Sequence, residues 1–367
     1  MNKTGFGFLR LPLLDPGDET SIDYERLFPM VDRFLALGGN YFDTAFTYLG
    51  EKSEEALRKA LVERHARSSF RIADKLPGWK IKNHGECRQY FDTQLRRCGV
   101  DYFDVYLIHW LNAENYAICE KTDQFAFLRQ MKAEGSAKAI GFSYHDGPEL
   151  LDRILTGHPE VDYVQLQINY LDWDSVSIQA RRCYDVAVKH GKKVIVMEPV
   201  KGGSLVNLPP AAEAMLKEHD PAASIPSWAI RFASSLDAVE IVLSGMNSME
   251  QIEDNMRSFS PLTLQETALL ARAAEIIREN TAIACTGCNY CASNCPKAIP
   301  IPKYFALYND FARNPGEDWK MQHVYDTLSA SAGKASDCIG CRKCEKNCPQ
   351  KLEITSHLTQ VSKTFEH

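Results

Sequence analysis

From residue 40 to about 255 the chain alternates short apolar runs, rich in β-branched residues, with longer stretches whose apolar positions recur every three to four residues. The short runs fall at 40–44, 70–75, 103–109, 139–143, 163–168, 193–198 and 239–244. Near-continuous apolar runs of this kind suit parallel strands buried on both faces. The stretches around them predict amphipathic helices at 53–62, 125–133, 148–155, 176–190, 227–234 and 249–259. In the first of these Ser53 is placed as an N-cap, and Ala56, Leu57, Ala60 and Leu61 share one face. A run at 6–10 adds an eighth strand. Repeated βα units predict an α/β fold, and eight of them within about 250 residues predict a TIM barrel. A doubly wound open sheet has the same periodicity. Its dinucleotide-binding fingerprint is missing, because no G-x-G-x-x-G follows an early strand.

Past the barrel, 264–279 predicts a helix leading into the last quarter of the chain. Two apolar stripes at helical spacing predict two more: Phe305, Tyr308, Phe311 and Ala312, then Met321, Val324, Tyr325 and Leu328. Pro300, Pro302 and Pro315 punctuate this region. The expected organisation is a (β/α)8 barrel over 1–275, followed by a small, mainly helical domain over 276–367.

Composition narrows the function classes. The 367 residues are 45% hydrophobic and 25% charged, as in ordinary soluble proteins. No apolar run approaches the roughly 20 residues of a membrane helix, so no membrane partner is expected. A net charge of −6 gives no electrostatic support for nucleic acid. The charge is uneven: residues 276–367 hold 11 Lys and Arg against 9 Asp and Glu, a surplus of two, which leaves −8 for the rest.

Eight of the 12 cysteines explain where that surplus lies. They form two copies of one spacing: Cys285, Cys288, Cys291 and Cys295 before Pro296, then Cys338, Cys341, Cys344 and Cys348 before Pro349. Thiolates at C-x-x-C spacing converge on one metal centre, a third at the next x-x step joins them, and a fourth completes the corners of a cubane. Zinc sites use C-x-x-C pairs but not a quartet ending in Cys-Pro. A disulfide framework belongs to short secreted chains. Residues 1–7 show no apolar region of the signal-peptide type, and reduced thiols with oxygen-sensitive clusters point to the cytoplasm. The two runs resemble those of bacterial two-cluster ferredoxins, in which the fourth cysteine of each run serves the other cluster. That resemblance implies two [4Fe–4S] clusters. Cys285, Cys288, Cys291 and Cys348 would hold one, and Cys338, Cys341, Cys344 and Cys295 the other. The two helices between the runs are closer to an α-helical ferredoxin than to a compact hairpin one. Basic residues such as Arg342 and Lys343 would partly offset the clusters' negative charge. Cys87, Cys98, Cys119 and Cys183 are scattered and read as ordinary buried or helix-surface thiols.

A second constellation sits at the ends of successive strands: Asp43 and Tyr48 after the first internal run, Lys75 after the next, and His109 after the one following. Strand C-termini face the active site in a TIM barrel. A lysine beside a tyrosine favours the phenolate and is expected to lower the tyrosine pKa. An aspartate orients the lysine, and the tyrosine then serves as a general acid. The segments Asp43-Thr44-Ala45-x-x-Tyr48, Lys75, and Asp104-x-x-x-x-His109 resemble the aldo-keto reductase family over roughly residues 3–260. The resemblance implies a (β/α)8 fold and reduction of aldehydes or ketones with NADH or NADPH, or the reverse alcohol oxidation. It implies Tyr48 as proton donor, Lys75 and Asp43 as the groups that tune it, and His109 as the residue orienting the carbonyl. It also places Ser143 and Gln165 on the nicotinamide carboxamide, and Glu198, Pro199, Gly202 and Gly203 by the pyrophosphate. Asp254 and Asn255 fall at the adenosine. Tyr144 stands where familiar members carry Asn, and Glu198 where many stack a Tyr. Ser248 and Gln251 stand where NADPH-binding members place a cation for the 2′-phosphate, so a strict NADPH preference is not expected.

Together the two constellations predict an oxidoreductase. Its barrel acts on a small carbonyl or alcohol, and its clusters pass electrons to or from a protein partner. An alternative makes the clusters a structural, docking or redox-sensing module of a larger complex. Another has them supply low-potential electrons for a different substrate class.

Overall fold

The computed structural model describes residues 3–175, 178–257, 260–313 and 318–366. Eight parallel strands close into a barrel: β1 (Thr4–Gly7), β2 (Tyr41–Asp43), β3 (Arg71–Leu76), β4 (Phe103–Leu111), β5 (Ala137–Tyr144), β6 (Tyr163–Gln167), β7 (Lys193–Met197) and β8 (Val239–Gly245). Each pairs with its sequence neighbours, and β1 closes the ring against β8, Thr4 opposite Val242. All eight expected runs are strands. The first is offset: β1 runs Thr4–Gly7, ahead of the expected 6–10, and the Phe8 N–H forms its last rung on the Asp43 carbonyl at 2.8 Å.

The barrel interior is filled by Tyr41, Ala73, Val105, Leu107, Tyr163, Ile195, Ile241 and Leu243. Two glycines make that packing possible. A Cβ on Gly141 would lie 2.1 Å from the Tyr163 carbonyl oxygen, and one on Gly5 would lie 2.8 Å from Leu243 Cδ2. Outside the sheet, Phe34 of helix Tyr24–Ala36 packs against Phe6 and Phe42 at ring distances of 5.5 and 5.2 Å.

The expected helices at 125–133, 148–155 and 227–234 are present as Gln124–Glu134, Pro148–Gly157 and Ile225–Ser234. That at 176–190 runs Ala180–Lys189, with residues 176–177 outside the described residues. That at 249–259 ends at Asn255, with 258–259 outside them. The helix at 53–62 continues after Leu57 as a π turn, and Ser53 does not cap it. The Ser53 hydroxyl instead donates to the Phe8 carbonyl (3.0 Å) and bonds Thr44 Oγ1 (2.7 Å), latching the loop after β2.

Among the described residues the chain forms two compact units. One comprises Met1–Asp174, Gln179–Pro199 and Pro226–Thr263, and the other Ser175–Ile178, Val200–Ile225 and Leu264–His367. The second therefore takes in helix Leu264–Glu279, which packs on helix Pro210–His219. The expected helices between the cysteine runs are Ile301–Arg313 and Asp318–Ser329. Tyr325 stacks on Phe365 (5.2 Å, 14°), and Tyr304 lies beside it (4.8 Å). Val324, expected on the inner stripe, is exposed. No helix among the described residues is long and apolar enough to cross a membrane.

Candidate active site and cysteine cavities

Parallel closure puts the C-terminal ends of β2, β3 and β4 side by side, with Asp43 opposite Ala73 and Lys75 opposite Leu107. Lys75 is fully buried. Its Nζ donates to Asp43 Oδ1 at 2.6 Å and to the Thr44 carbonyl at 2.7 Å, and lies 4.8 Å from the centre of the Tyr48 ring. Tyr48 and His109 meet edge to face at 5.6 Å. The four expected residues thus share one buried pocket.

The backbone around them is shaped for this. Tyr48 is followed by three left-handed residues, Leu49, Gly50 and Glu51, with φ of 52°, 58° and 67°. A Cβ on Gly50 would lie 2.7 Å from Thr20 Cγ2. His109 sits in a register shift of β4 between Ile108 and Leu111, and Trp110 after it has φ 63°. Non-glycine residues in this region concentrate where function requires a side chain to be aimed. Trp110 holds the turn by donating its N–H to Ser143 Oγ at 2.7 Å.

Electrostatics correct one expectation. Tyr48 is pushed well above the usual phenol range, first by burial and then by Asp43 and Asp74. The expected lowering by Lys75 is not found, because burial of the hydroxyl and the nearby carboxyl groups of Asp43 and Asp74 all favour the protonated phenol. Tyr48 therefore keeps its proton. His109 is pushed well below the imidazole range by burial, Lys75 and His145, and stays neutral. Asp43 is raised by burial and lowered by Lys75, the first dominating.

The cofactor-assigned residues fall as follows. Ser143 on β5 pairs with Gln165 on β6, and both are buried. Gln165 Oε1 has no hydrogen-bond partner, nor has His109 Nδ1. Ser143 Oγ already accepts from Trp110, which leaves its O–H to donate. A carboxamide offers an N–H to the first and a carbonyl to the second, so the donor set fits a nicotinamide. Glu198 has φ 54°, and its carbonyl accepts from Asn169 Nδ2 at 3.2 Å. Pro199 is buried. Gly202 and Gly203 are left-handed, at φ 65° and 104°. Asn255 donates to Ser244 Oγ at 2.8 Å, and Asp254 precedes it in the same short helix. Ser248 caps that helix, and Gln251 accepts from the Asn247 N–H at 2.8 Å. The Tyr144 hydroxyl is turned to the Gly147 carbonyl at 2.6 Å.

Sequence reasoning missed the indoles that wall the pocket. Trp79 packs on His109 at 5.3 Å and on Trp110 at 5.5 Å. It also missed a buried carboxyl pair. Asp74 accepts from the Lys75 N–H at 2.7 Å and is raised by burial and by Glu54, which is ion-paired to Arg97 at 3.0 Å. The adjacency of Trp110 to His109 was the one available signal.

In the second unit the eight cysteines line two cavities. Cys285, Cys288, Cys291 and Cys348 surround one of about 300 Å³, its open mouth included. Cys295, Cys338, Cys341 and Cys344 surround another of about 310 Å³. Each takes three cysteines from one run and one from the other. The runs repeat in backbone as well: Gly287 and Gly340 have φ 66° and 69°, Asn289 and Arg342 63° and 54°, Ala298 and Lys351 50° and 52°. The first glycine turn aims the Gly287 N–H at Cys285 Sγ (3.5 Å). No disulfide links any of the 12 cysteines, and among the described residues no three His, Cys, Asp or Glu converge as a single ion's ligands would. Four thiols around a cavity, rather than around a point, suit a polynuclear iron–sulfur group.

Comparisons with known proteins accord with both halves. The family model described as "Aldo/keto reductase family" matches residues 5–275, and "4Fe-4S dicluster domain" matches residues 284–353. The chain is 24% identical over 217 residues to the NADH-specific methylglyoxal reductase of Escherichia coli (strain K12), covering 52% of this chain and 64% of that protein. It is 27% identical over 252 residues to L-galactose dehydrogenase of Arabidopsis thaliana, covering 62% and 75%. Among solved structures, an aldo-keto reductase from Bacillus halodurans in its holo form aligns with a TM-score of 0.59 at 23% identity, covering 74% of this chain and 91% of that one. An aldo-keto reductase from Klebsiella pneumoniae in complex with NADPH aligns with a TM-score of 0.56 at 18% identity, covering 74% and 90%. At these identities the structural likenesses speak for the fold.

Proposed function

We propose that this chain, which belongs to the aldo/keto reductase family, reduces an aldehyde or ketone with NADH or NADPH, or runs the reverse oxidation, in a barrel over 1–275. We further propose that residues 276–367 hold two [4Fe–4S] clusters that share electrons with the barrel and with a protein partner. The observation that carries the reading is the buried contact of Lys75 with Asp43 at 2.6 Å beside Tyr48 and His109.

When bound, the nicotinamide supplies the hydride, and each cluster carries one electron. The chain's own residues do the rest. Tyr48, held protonated, gives its proton to the developing alkoxide. His109 donates an N–H to the same oxygen as a neutral imidazole. The Lys75 ammonium stabilises the phenolate that the proton transfer leaves, and Asp43 and the Thr44 carbonyl fix it in place. Trp79 packs on His109, and Trp110 packs in turn on Trp79. Ser143 and Gln165 orient the carboxamide. Glu198, Pro199, Gly202 and Gly203 are assigned to the pyrophosphate, and Asp254 and Asn255 to the adenosine. Ser248 and Gln251 are occupied in capping and offer no charge to a 2′-phosphate, which favours NADH or dual use.

Cys285, Cys288, Cys291 and Cys348 are assigned to one cluster, and Cys295, Cys338, Cys341 and Cys344 to the other. The second opens to solvent through Cys341, beside exposed Ile339, Arg342, Lys343 and Lys346. That edge suits an acidic electron-transfer protein. Such chemistry belongs in a reducing cytoplasm.

Replacing Tyr48 with Phe tests the barrel. The expected result is a loss of carbonyl reduction of roughly 10²- to 10⁴-fold, with nucleotide binding retained. Unchanged turnover would reject the reading. A second reading, in which the clusters are a structural, docking or redox-sensing module, is favoured by one observation: Cys291 and Cys344 lie within the unit's own hydrophobic core, beside Ile301, Phe305 and Leu358.

A further inference from the structure

Lys201 is 3% exposed and has φ 48°, a conformation that non-glycine residues rarely adopt. A tight turn holds it there: the Gly203 and Leu205 N–H groups donate to the Val200 carbonyl at 3.0 and 3.2 Å, and the Ser204 N–H donates to the Lys201 carbonyl at 3.1 Å. Its Nζ donates to Gln350 Oε1 at 2.7 Å. Gln350 is itself 5% exposed, follows directly on Cys348 and Pro349, and lines the cavity shared by Cys285, Cys288, Cys291 and Cys348.

The other cavity differs. Its backbone repeats the first, with left-handed residues at the same three places in each run. Among the described residues lining it, the cations Lys297 and Arg342 are both exposed, where water and salt screen them. The two cavities are thus alike in thiols and turns and unlike in the burial of the charge beside them.

We propose that Lys201 is an electrostatic positioning residue that raises the reduction potential of the cluster bound by Cys285, Cys288, Cys291 and Cys348, setting it apart from the other cluster. This rests on the reading of the cysteines as cluster ligands. An incoming electron adds one negative charge to the cluster, and a cation held in a low-dielectric setting stabilises that charge far more than a surface cation does. Net charge, hydrogen bonds and exposure are the levers that set iron–sulfur potentials. Gln350 keeps the ammonium in place, and Lys201 gives this one cluster the first of those levers.

The test is an EPR-monitored redox titration of the anaerobically purified holoprotein. Lys201→Met should lower one of two midpoints, changing the reduced-to-oxidised ratio at fixed potential by about tenfold, which for one electron is 59 mV. The other midpoint should stay in place. Lys201→Arg should retain the wild-type pattern. Gln350→Glu, which sets a carboxylate against the ammonium, should lower the same midpoint and decides the matter if Lys201→Met fails to fold. Two clusters with wild-type midpoints in both Lys201→Met and Gln350→Glu would overturn the proposal alone. Wild-type protein without two reducible clusters, visible in its iron content before any variant is compared, would overturn the cluster reading and this proposal with it.

Discussion

Lys75 reaches Asp43, the Thr44 carbonyl and the face of Tyr48 at once, and that threefold engagement explains what residue types alone misjudge. The residues of the pocket were legible in the sequence, because strand ends in a barrel converge. The tyrosine's acidity was not legible, because it depends first on burial and then on the carboxyl groups of Asp43 and Asp74. The distinction shows in a pH profile. With Tyr48 raised above 10.0 and His109 depressed below 6.5, kcat/KM for carbonyl reduction should stay level from about pH 7 to pH 10. A basic limb setting in well below pH 10 would instead indicate the lowered phenol that a neighbouring lysine suggests. His109 adds a stability term of definite sign. Its depressed pKa favours the fold above the unfolded value near 6.5, and that contribution is lost as the pH falls through the folded value. Lys201 and Gln350 lie 149 residues apart, and no spacing rule connects a lysine beside two glycines to a glutamine after Cys-Pro.

Among the elements, the strands were the legible ones, since burial on both faces leaves an uninterrupted apolar run. Helix His84–Cys98 was not foreseen. Its buried face is Cys87, Phe91, Gln94 and Cys98, so two thiols and an amide stand where an apolar stripe is sought. Gln94 is buried because it bridges elements, donating to the Lys75 carbonyl at 3.0 Å and accepting from the Tyr106 hydroxyl at 2.6 Å. Helix Tyr24–Ala36 carries Pro29 within it and was likewise not expected. Strand pairing makes a sharper demand at Gly141, where any Cβ meets the Tyr163 carbonyl at 2.1 Å. Overpacking of this kind costs about 1–3 kcal/mol or more. Gly141→Ala should therefore lower the urea midpoint by an amount corresponding to at least about 2 kcal/mol, without a matching change at a surface glycine such as Gly157, whose Cβ would meet nothing within 4 Å. Equal stability of the two variants would contradict the close β5–β6 approach.

At the scale of the molecule, the proposed function joins two chemistries that count electrons differently. A hydride carries two electrons and each cluster of the ferredoxin type takes one, so in the proposed exchange one reduced nicotinamide would supply both clusters, leaving oxidised nicotinamide and a proton. The repeat of three left-handed positions in each cysteine run shows that the second unit is built twice from one turn design. Sequence spacing made both runs visible, the ferredoxin resemblance implied the cross-over of their fourth cysteines, and the two cavities are lined by the same crossed sets. The measurement that tests the central claim most directly is anaerobic. Protein with a full complement of eight irons is mixed with NADH or NADPH, no carbonyl present, and the clusters are followed by visible bleaching and EPR. The account predicts that a nicotinamide nucleotide reduces the clusters. Clusters that dithionite reduces and neither nucleotide touches would contradict it, leaving a carbonyl reductase and an iron–sulfur module that share a chain but no electrons.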